Sequence, residues 1–553
     1  MKKSILFYVC ILVSCSDKGI YKESAIKIAR SPNGVAATAH PLATTSAVKI
    51  LESGGNAMDA AVAAAFTLTV VEPTMNGLGG RTQILIYSPE TGYHGIDATT
   101  AAPNDYDYDN APKKKYGYPS IGIPGTVKGL DRGLKDFGSL GLPAVMNDAI
   151  IYAEKGHFLI EGEARRMAGV NNYLNEFTGS KQYFTNPDGS PLKSGKYLIQ
   201  KDLAEVLKSI SINGSDVFYR GWIAERMVED NLKNGGVLSM QALAGYSAKT
   251  SHIVKGNYKG NELSALWMPA FGAITIEALH ILEYLENDLN DKNEWAESIY
   301  HAVEAAYLDR RVQFTLEDAD RFTSKKWAKM RAEEVQNKSS QILEDLPDSY
   351  TAALGHTTHL TVVDKNGMIV SLTQTIGTTM GSKVATPGLG FMYAQTLGGY
   401  LGDIKPGMRA PSHISPIIVA RDGEPYMALG AAGGSRIPSS IIAIISRVVD
   451  QNFSLEEAMM LPRVHPTDEH IEIEKISLDS SFPSHVTEKI LSEDDSTYFV
   501  SRGYKPKYRE GIGNFGRVYA IMKEGREWIG VSCLLYTSPS PRDQRGSRSA
   551  AWA

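Results

Sequence analysis

The sequence predicts a layered α/β protein. Three observations carry that prediction: an Ala-rich apolar segment at 57–71, mainly amphipathic helical segments across 140–345, and a strand-dominated block from 357 to about 450. Helical blocks that bracket strand-rich segments describe sheets covered by helices, not a solenoid or a bundle. No internal repeat, coiled coil or low-complexity region interrupts them. With 553 residues, 43% of them hydrophobic and 22% charged, the chain has the composition of a large globular protein, which excludes disorder as its main state. The formal charge is −5, and the short run Lys113-Lys114-Lys115 reads as a solvated loop, so nucleic acid is not an expected partner.

In chain order, residues 1–15 open with Lys2 and Lys3, continue through an apolar stretch from Ile5 to Val13 and end on Ser14-Cys15. This is the pattern of an export signal, and its apolar stretch is too short to span a bilayer. Its ending, Leu12-Val13-Ser14-Cys15, resembles a bacterial lipobox, which implies lipidation of Cys15 and a membrane-anchored, exported lipoprotein at the periplasm or cell surface. Residues 16–30 form a polar tether. Residues 34–39 alternate as a strand, 40–54 read as a helix closed by Gly54-Gly55, and Asn56 opens the Ala-rich helix, whose small side chains imply close interior packing. Two short strands flank a turn at Pro89 to Gly92. Gly235-Gly236 and Asn257 to Gly260 punctuate the helical region that follows. The last hairpin ends near Ser532; residues 533–553 resemble translated adapter read-through and are set apart from the fold. The three cysteines are Cys10, Cys15 and Cys533, so the body has no disulfide framework, thiolate metal site or cysteine nucleophile.

The chemistry concentrates at 356–375. Two alternating runs meet at Asn366-Gly367, a strong signal for a two-residue hairpin turn. That turn places Lys365 opposite Met368 and Thr358 opposite Thr375, with Thr357 one residue away. A second hydroxyl therefore lies beside Thr357. Alone, a Thr-rich hairpin is usually just sheet surface.

The string TTHLTVVDKNGMIVSLTQT at 357–375 resembles the start of the small subunit of gamma-glutamyltransferases, members of the N-terminal-nucleophile hydrolases. Other landmarks of that family follow in order: SGGNAMDAAVAAAFTLTVVEP at 53–73, GIPGTVKGL at 122–130, AEKGH at 153–157, FYRGWIAERM at 218–227, EAAYLDR at 304–310 and GAAGGSRI at 430–437. The resemblance covers about 31–532. It implies a four-layer αββα sandwich, a precursor cut between His356 and Thr357, and a large subunit (31–356) interlocked with a small one (357–532). It also implies roles. Thr357 is the nucleophile, its freed amine is the general base, and Thr375 orients its hydroxyl. Gly433 and Gly434 supply backbone donors to the oxyanion, where no Cβ obstructs the reacting carbonyl.

Substrate recognition departs from the family pattern. Thr100, in Asp97-Ala98-Thr99-Thr100, stands where the family places the arginine that clamps the substrate carboxylate. Gly377 replaces an asparagine, Gly399 the acidic residue that holds the α-amine, and Ser412-His413 a serine pair. Lost charged hydrogen bonds of this kind weaken recognition by about 1.5–3 kcal/mol each, so glutathione is not expected to be the preferred substrate. Arg81, where the family usually has glycine, is either a replacement cation or a structural arginine. His356, His359 and His413 lack metal-ligand spacing, and the mechanism implied needs neither metal nor cofactor. The expected partner is a small-molecule or peptide amide. The sequence favours a gamma-glutamyltransferase-like amidohydrolase, over an acylase with a non-glutamyl substrate and over an inactive lipoprotein scaffold used for binding.

Overall fold

The helix at Ala57–Val71 is buried along its entire length, as its alanines imply, and everything on one side of the molecule is arranged about it. Asn56 caps it: the side chain accepts from the amides of Met58 and Asp59, and Asp59 reciprocates to the Asn56 amide. In the computed structural model, which describes residues 26–313, 315–337, 356–467, 470–476, 483–510 and 515–533, this helix packs on one of two stacked antiparallel sheets. The strand order of that sheet is Gly34–Thr38, His356–Asp364, Ile369–Gly377, Arg81–Ser88, Gly92–Ala98 and Lys249–Thr250. The second sheet runs Ile26–Ser31, Glu527–Cys533, Arg517–Glu524, Glu424–Ala432, Ile417–Arg421, Asn261–Leu266 and Ile253–Tyr258.

The inner faces of the two sheets meet through His356–Asp364 and Ile369–Gly377 on one side and Glu424–Ala432 and Arg517–Glu524 on the other. Helices Pro41–Glu52, Ala57–Val71 and Thr126–Phe137 cover the outer face of the first sheet, and Gly272–Tyr284 and Arg436–Asp450 cover that of the second. The order of layers is helix, sheet, sheet, helix, the expected αββα sandwich. Both faces of the central strands are buried, which is why 356–377 reads as near-continuous burial and not as an alternation.

Three expectations need correction. The hairpin turn holds three residues, Lys365 to Gly367, not two: Asp364 N–H donates to the Met368 carbonyl, and Gly367 has φ = 88°. The Asp364 carboxylate drives this by accepting from the amides of Asn366 (2.8 Å), Met368 (3.2 Å) and Ala57 (2.9 Å), which stabilises a type I turn followed by a left-handed glycine. The register shifts accordingly, and Thr357, not Thr358, lies opposite Thr375. The region 140–345 also contributes the hairpin Ile253–Tyr258 and Asn261–Leu266, and the block 357–450 ends in the helix Arg436–Asp450. Both end boundaries also move: the last strand includes Cys533, buried as a small apolar residue one residue past the predicted boundary at 532, and its partner is Ile26–Ser31, a strand where residues up to 30 were expected to be tether. The signal, the lipidation site Cys15 and residues 534–553 lie outside the described residues. Among the described residues, no helix is long and apolar enough to cross a membrane.

Candidate active site

Thr357 sits one residue into the strand His356–Asp364, is 4% exposed, and lies directly opposite Thr375. A register irregularity between His356 and Thr357 turns the preceding carbonyl toward the neighbouring strand. The Thr357 hydroxyl donates to Thr375 Oγ1 at 3.2 Å, and Thr375 in turn donates to the His356 carbonyl at 2.7 Å. The Gly377 amide donates to Thr375 Oγ1 at 3.0 Å. One hydroxyl thus gathers two donors and gives its own proton to the carbonyl oxygen of His356, whose carbon lies one residue before the Thr357 hydroxyl. This arrangement polarises the 356–357 peptide bond.

The surrounding charge has the same sense. Burial, followed by the positive charges of Arg517, Arg166 and Lys383, holds the His356 imidazole down to about 3, so it is neutral at physiological pH. Burial also lowers the Lys383 ammonium to about 8, and that group is held by Thr378 Oγ1 at 2.8 Å and the Gly381 carbonyl at 2.9 Å. A cationic environment around a carbonyl favours negative charge developing on its oxygen. His359, two residues beyond Thr357, lies between the sheets and hydrogen-bonds Thr373 Oγ1 (2.7 Å) and Thr361 Oγ1 (2.9 Å). Burial lowers it to about 3, and it is a packing residue. Among the described residues, no group of His, Cys, Asp and Glu is arranged to hold a metal ion.

A cleft enclosing about 280 Å³, open solvent included, is lined by Thr357, Thr375, Gly377, Arg81, Ser412, His413 and Gly434, together with Tyr400, Leu401 and Ile437. Six other residues proposed from sequence therefore gather around Thr357. Gly433, with φ = 148°, lies behind Gly434, whose φ is 61°; a Cβ on Gly433 would come within 2.7 Å of Gly516 Cα. These two glycines end the strand Glu424–Ala432 and lead into the N-terminus of Arg436–Asp450, a turn that L side chains would strain.

Two of the residues aligned with substrate-binding positions, Thr100 and Gly399, lie outside the cleft lining. Thr100 is fully buried and hydrogen-bonded to Thr396 at 2.9 Å, with its carbonyl taken by the Ala410 amide; it does not line the cleft. Asp97 in the same stretch pairs with Arg409 at 3.2 Å. Gly399 is exposed in a left-handed turn at φ = 84°, and the cleft is lined instead by its neighbours Tyr400 and Leu401. Sequence reasoning missed Tyr400, Leu401 and Ile437, although each adjoins a glycine or motif it had singled out.

Comparison with known proteins follows the same lines. The family model described as Gamma-glutamyltranspeptidase matches residues 43–534. The glutathione hydrolase proenzyme of Escherichia coli (strain K12) is 30% identical over 561 residues, covering 94% of this chain and 92% of its own. The Acylase ACY 1 proenzyme of Pseudomonas sp. (strain SE83) is 30% identical over 483 residues, covering 81% and 85%. Among solved structures, cephalosporin acylase from Bacillus halodurans superposes with a TM-score of 0.78 at 23% identity, covering 94% of this chain and 97% of that one, a likeness of fold. Taken with the threonine pair at the centre of an αββα sandwich, these matches place the chain in the gamma-glutamyltranspeptidase family, as a gamma-glutamyltransferase-like hydrolase.

Proposed function

We propose that the protein is a self-processing amidohydrolase whose nucleophile is Thr357. The observation that carries this reading is the hydrogen-bond chain from Thr357 Oγ1 through Thr375 Oγ1 to the His356 carbonyl. In the precursor, Thr357 Oγ1 attacks the His356 carbonyl carbon. The C–N bond then breaks, the nitrogen takes the proton, and an ester joins His356 to the threonine side chain. Water hydrolyses the ester, releasing a carboxylate at His356 and the free amine and hydroxyl of Thr357. That amine, with a reference pKa of about 7.7–8.0, is a suitable general base for its own hydroxyl.

In the second phase the hydroxyl attacks a substrate amide, the amine product leaves, and the acyl group rests on Thr357 Oγ1 until water or an amine removes it. Thr375, relieved of the His356 carbonyl, orients the nucleophile, and the Gly433-Gly434 backbone faces the oxyanion. The substrate is a small-molecule or peptide amide, and no step requires a cofactor.

N-terminal sequencing of the smaller fragment is expected to read Thr-Thr-His-Leu; a start anywhere else overturns the nucleophile assignment. Thr375→Val, which keeps the side-chain shape but removes the polarising hydroxyl, is expected to slow self-cleavage about a hundredfold. A time course of precursor loss on a denaturing gel measures this, and an unchanged rate would exclude Thr375 from processing.

The lipobox-like ending at Cys15 supports anchoring through acyl chains on that residue. Cells fed labelled palmitate are expected to label the protein, and Cys15→Ser to abolish the label and release the protein from membranes. Equal labelling of the variant removes Cys15 as the acceptor.

A further inference from the structure

The cleft contains a charge that no acidic group among the described residues answers. Arg81 begins the strand Arg81–Ser88 and lies directly opposite Thr375, which is itself directly opposite Thr357. Directly opposed residues of an antiparallel sheet project to the same face, so the three side chains stand in a row across three adjacent strands. With neighbouring strands about 4.8 Å apart, the Arg81 backbone is roughly 10 Å from that of the nucleophile. Arg81 is 3% exposed, and neither Nε nor Nη1 of its guanidinium has a hydrogen-bond partner among the described residues. No ion pair reaches it among the described residues.

Burial lowers its pKa to about 10, which still leaves it charged at neutral pH. A buried, unpaired guanidinium is costly to fold, and such a group persists where a ligand supplies the counter-charge. Of the ten residues lining the cleft, Arg81 is the only one that is Lys, Arg, Asp or Glu. The site therefore offers one cation to an anion and no carboxylate to an ammonium.

We propose that Arg81 is the specificity-determining residue of the acyl pocket, pairing with a carboxylate at the far end of a short acyl chain and disfavouring acyl groups that also carry an ammonium. This rests on the reading of Thr357 as the nucleophile. The planar fork of the guanidinium matches a carboxylate, and its place beyond Thr375 sets the distance: the acyl carbon lies at Thr357 and the carboxylate about two strands away. A γ-glutamyl group brings the carboxylate but adds an ammonium on the same carbon, which would face the guanidinium without a partner.

The test dissects the γ-glutamyl group while the leaving group is held constant. Processed enzyme is assayed with the p-nitroanilides of the glutaryl group (carboxylate only), the γ-glutamyl group (carboxylate and ammonium) and the butyryl group (neither). Glutaryl is expected to exceed both others in kcat/KM by about tenfold or more, the scale of one charge-assisted contact. Arg81→Met, which keeps the length of the stem, is expected to lower the glutaryl-to-butyryl ratio by about ten- to a hundredfold, mainly through KM, and Arg81→Lys to recover part of it.

An unchanged ratio in Arg81→Met, or a γ-glutamyl substrate faster than glutaryl, overturns the proposal while leaving the Thr357 mechanism intact. If a correctly cut enzyme turns over none of the three, glutarate binding by calorimetry to wild type and Arg81→Met decides. Binding lost in the variant supports the pocket, and equal or absent binding in both overturns it. An enzyme that is never cut refutes the nucleophile reading instead, and the same calorimetric comparison still decides on Arg81.

Discussion

Thr357→Ala is expected to yield a single uncleaved chain with no measurable amide turnover, a loss of about four to six orders of magnitude. The effect is this large because the substitution removes the attacking atom from both phases of the reaction. Thr375 still donates to the His356 carbonyl in that variant, so polarisation survives and only nucleophilicity is lost. Thr357→Ser keeps a hydroxyl on the same carbon and is expected to process. A denaturing gel and a rate measurement read both outcomes. Cleavage that persists in Thr357→Ala would mean that another residue, with Thr358 the first to examine, makes the cut.

Glu472→Gln is expected to destabilise the fold by about 3–5 kcal/mol. Arg436 follows the Gly433-Gly434 turn at the start of its helix, and its side chain and that of Glu472 are each 2% exposed. Arg436 Nε donates to Glu472 Oε2 at 3.1 Å, and Arg509 Nε donates to Oε1 at 2.6 Å. Neutralising Glu472 leaves the Arg436 charge buried without its counter-ion. Burial by itself would raise the Glu472 carboxyl, but Arg509 and Arg436 outweigh it and hold it below the usual range.

A depressed carboxylate contributes stability above its unfolded value of 4.5, and that contribution is lost as pH falls through the lowered folded value. The deficit of Glu472→Gln is therefore expected to be full at neutral pH and to narrow in acid. Urea titration on the uncleaved Thr357→Ala background keeps the comparison to one chain. The double variant Arg436→Met, Glu472→Leu is expected to recover most of the loss; a double variant weaker than Glu472→Gln would remove the ion pair as the cause.

Much of this architecture was legible because the local signals are strong. Asn56 and Asp59 announce a capped helix, the alanines after them announce a buried one, and the alternation around Asn366-Gly367 announces a hairpin. The one-residue register error arose from Asp364, whose carboxylate widens the loop by binding the Ala57 amide of a helix 307 positions away; no window of sequence contains that contact. The strands Ile253–Tyr258 and Asn261–Leu266 were hidden among helices because they join a sheet assembled largely from later segments.

At the cleft, the hydroxyl pair and the glycine turn could be placed by motif. Thr100 could not, because being aligned with a substrate-binding position does not bring a residue to the cleft surface. Arg81 was ambiguous in sequence, since only the register that sets it opposite Thr375 and the lack of partners for Nε and Nη1 distinguish a poised cation from a structural one.

The strand order has a consequence for the proposed cut before Thr357. In the first sheet, His356–Asp364 and Ile369–Gly377 are bounded by Gly34–Thr38 and Arg81–Ser88; in the second, the four strands from Ile417 onward are bounded by Ile26–Ser31 and Asn261–Leu266. In these two sheets the downstream part therefore has no free edge of its own, and each edge it would expose there if it left is a ladder now closed by the upstream part. Leaving would open four ladders and uncover the unpaired edges that promote aggregation. Breaking that one peptide bond would thus leave two chains joined by four shared ladders. Their lifetime together would then be set by the unfolding barrier of the whole molecule and not by an affinity between parts.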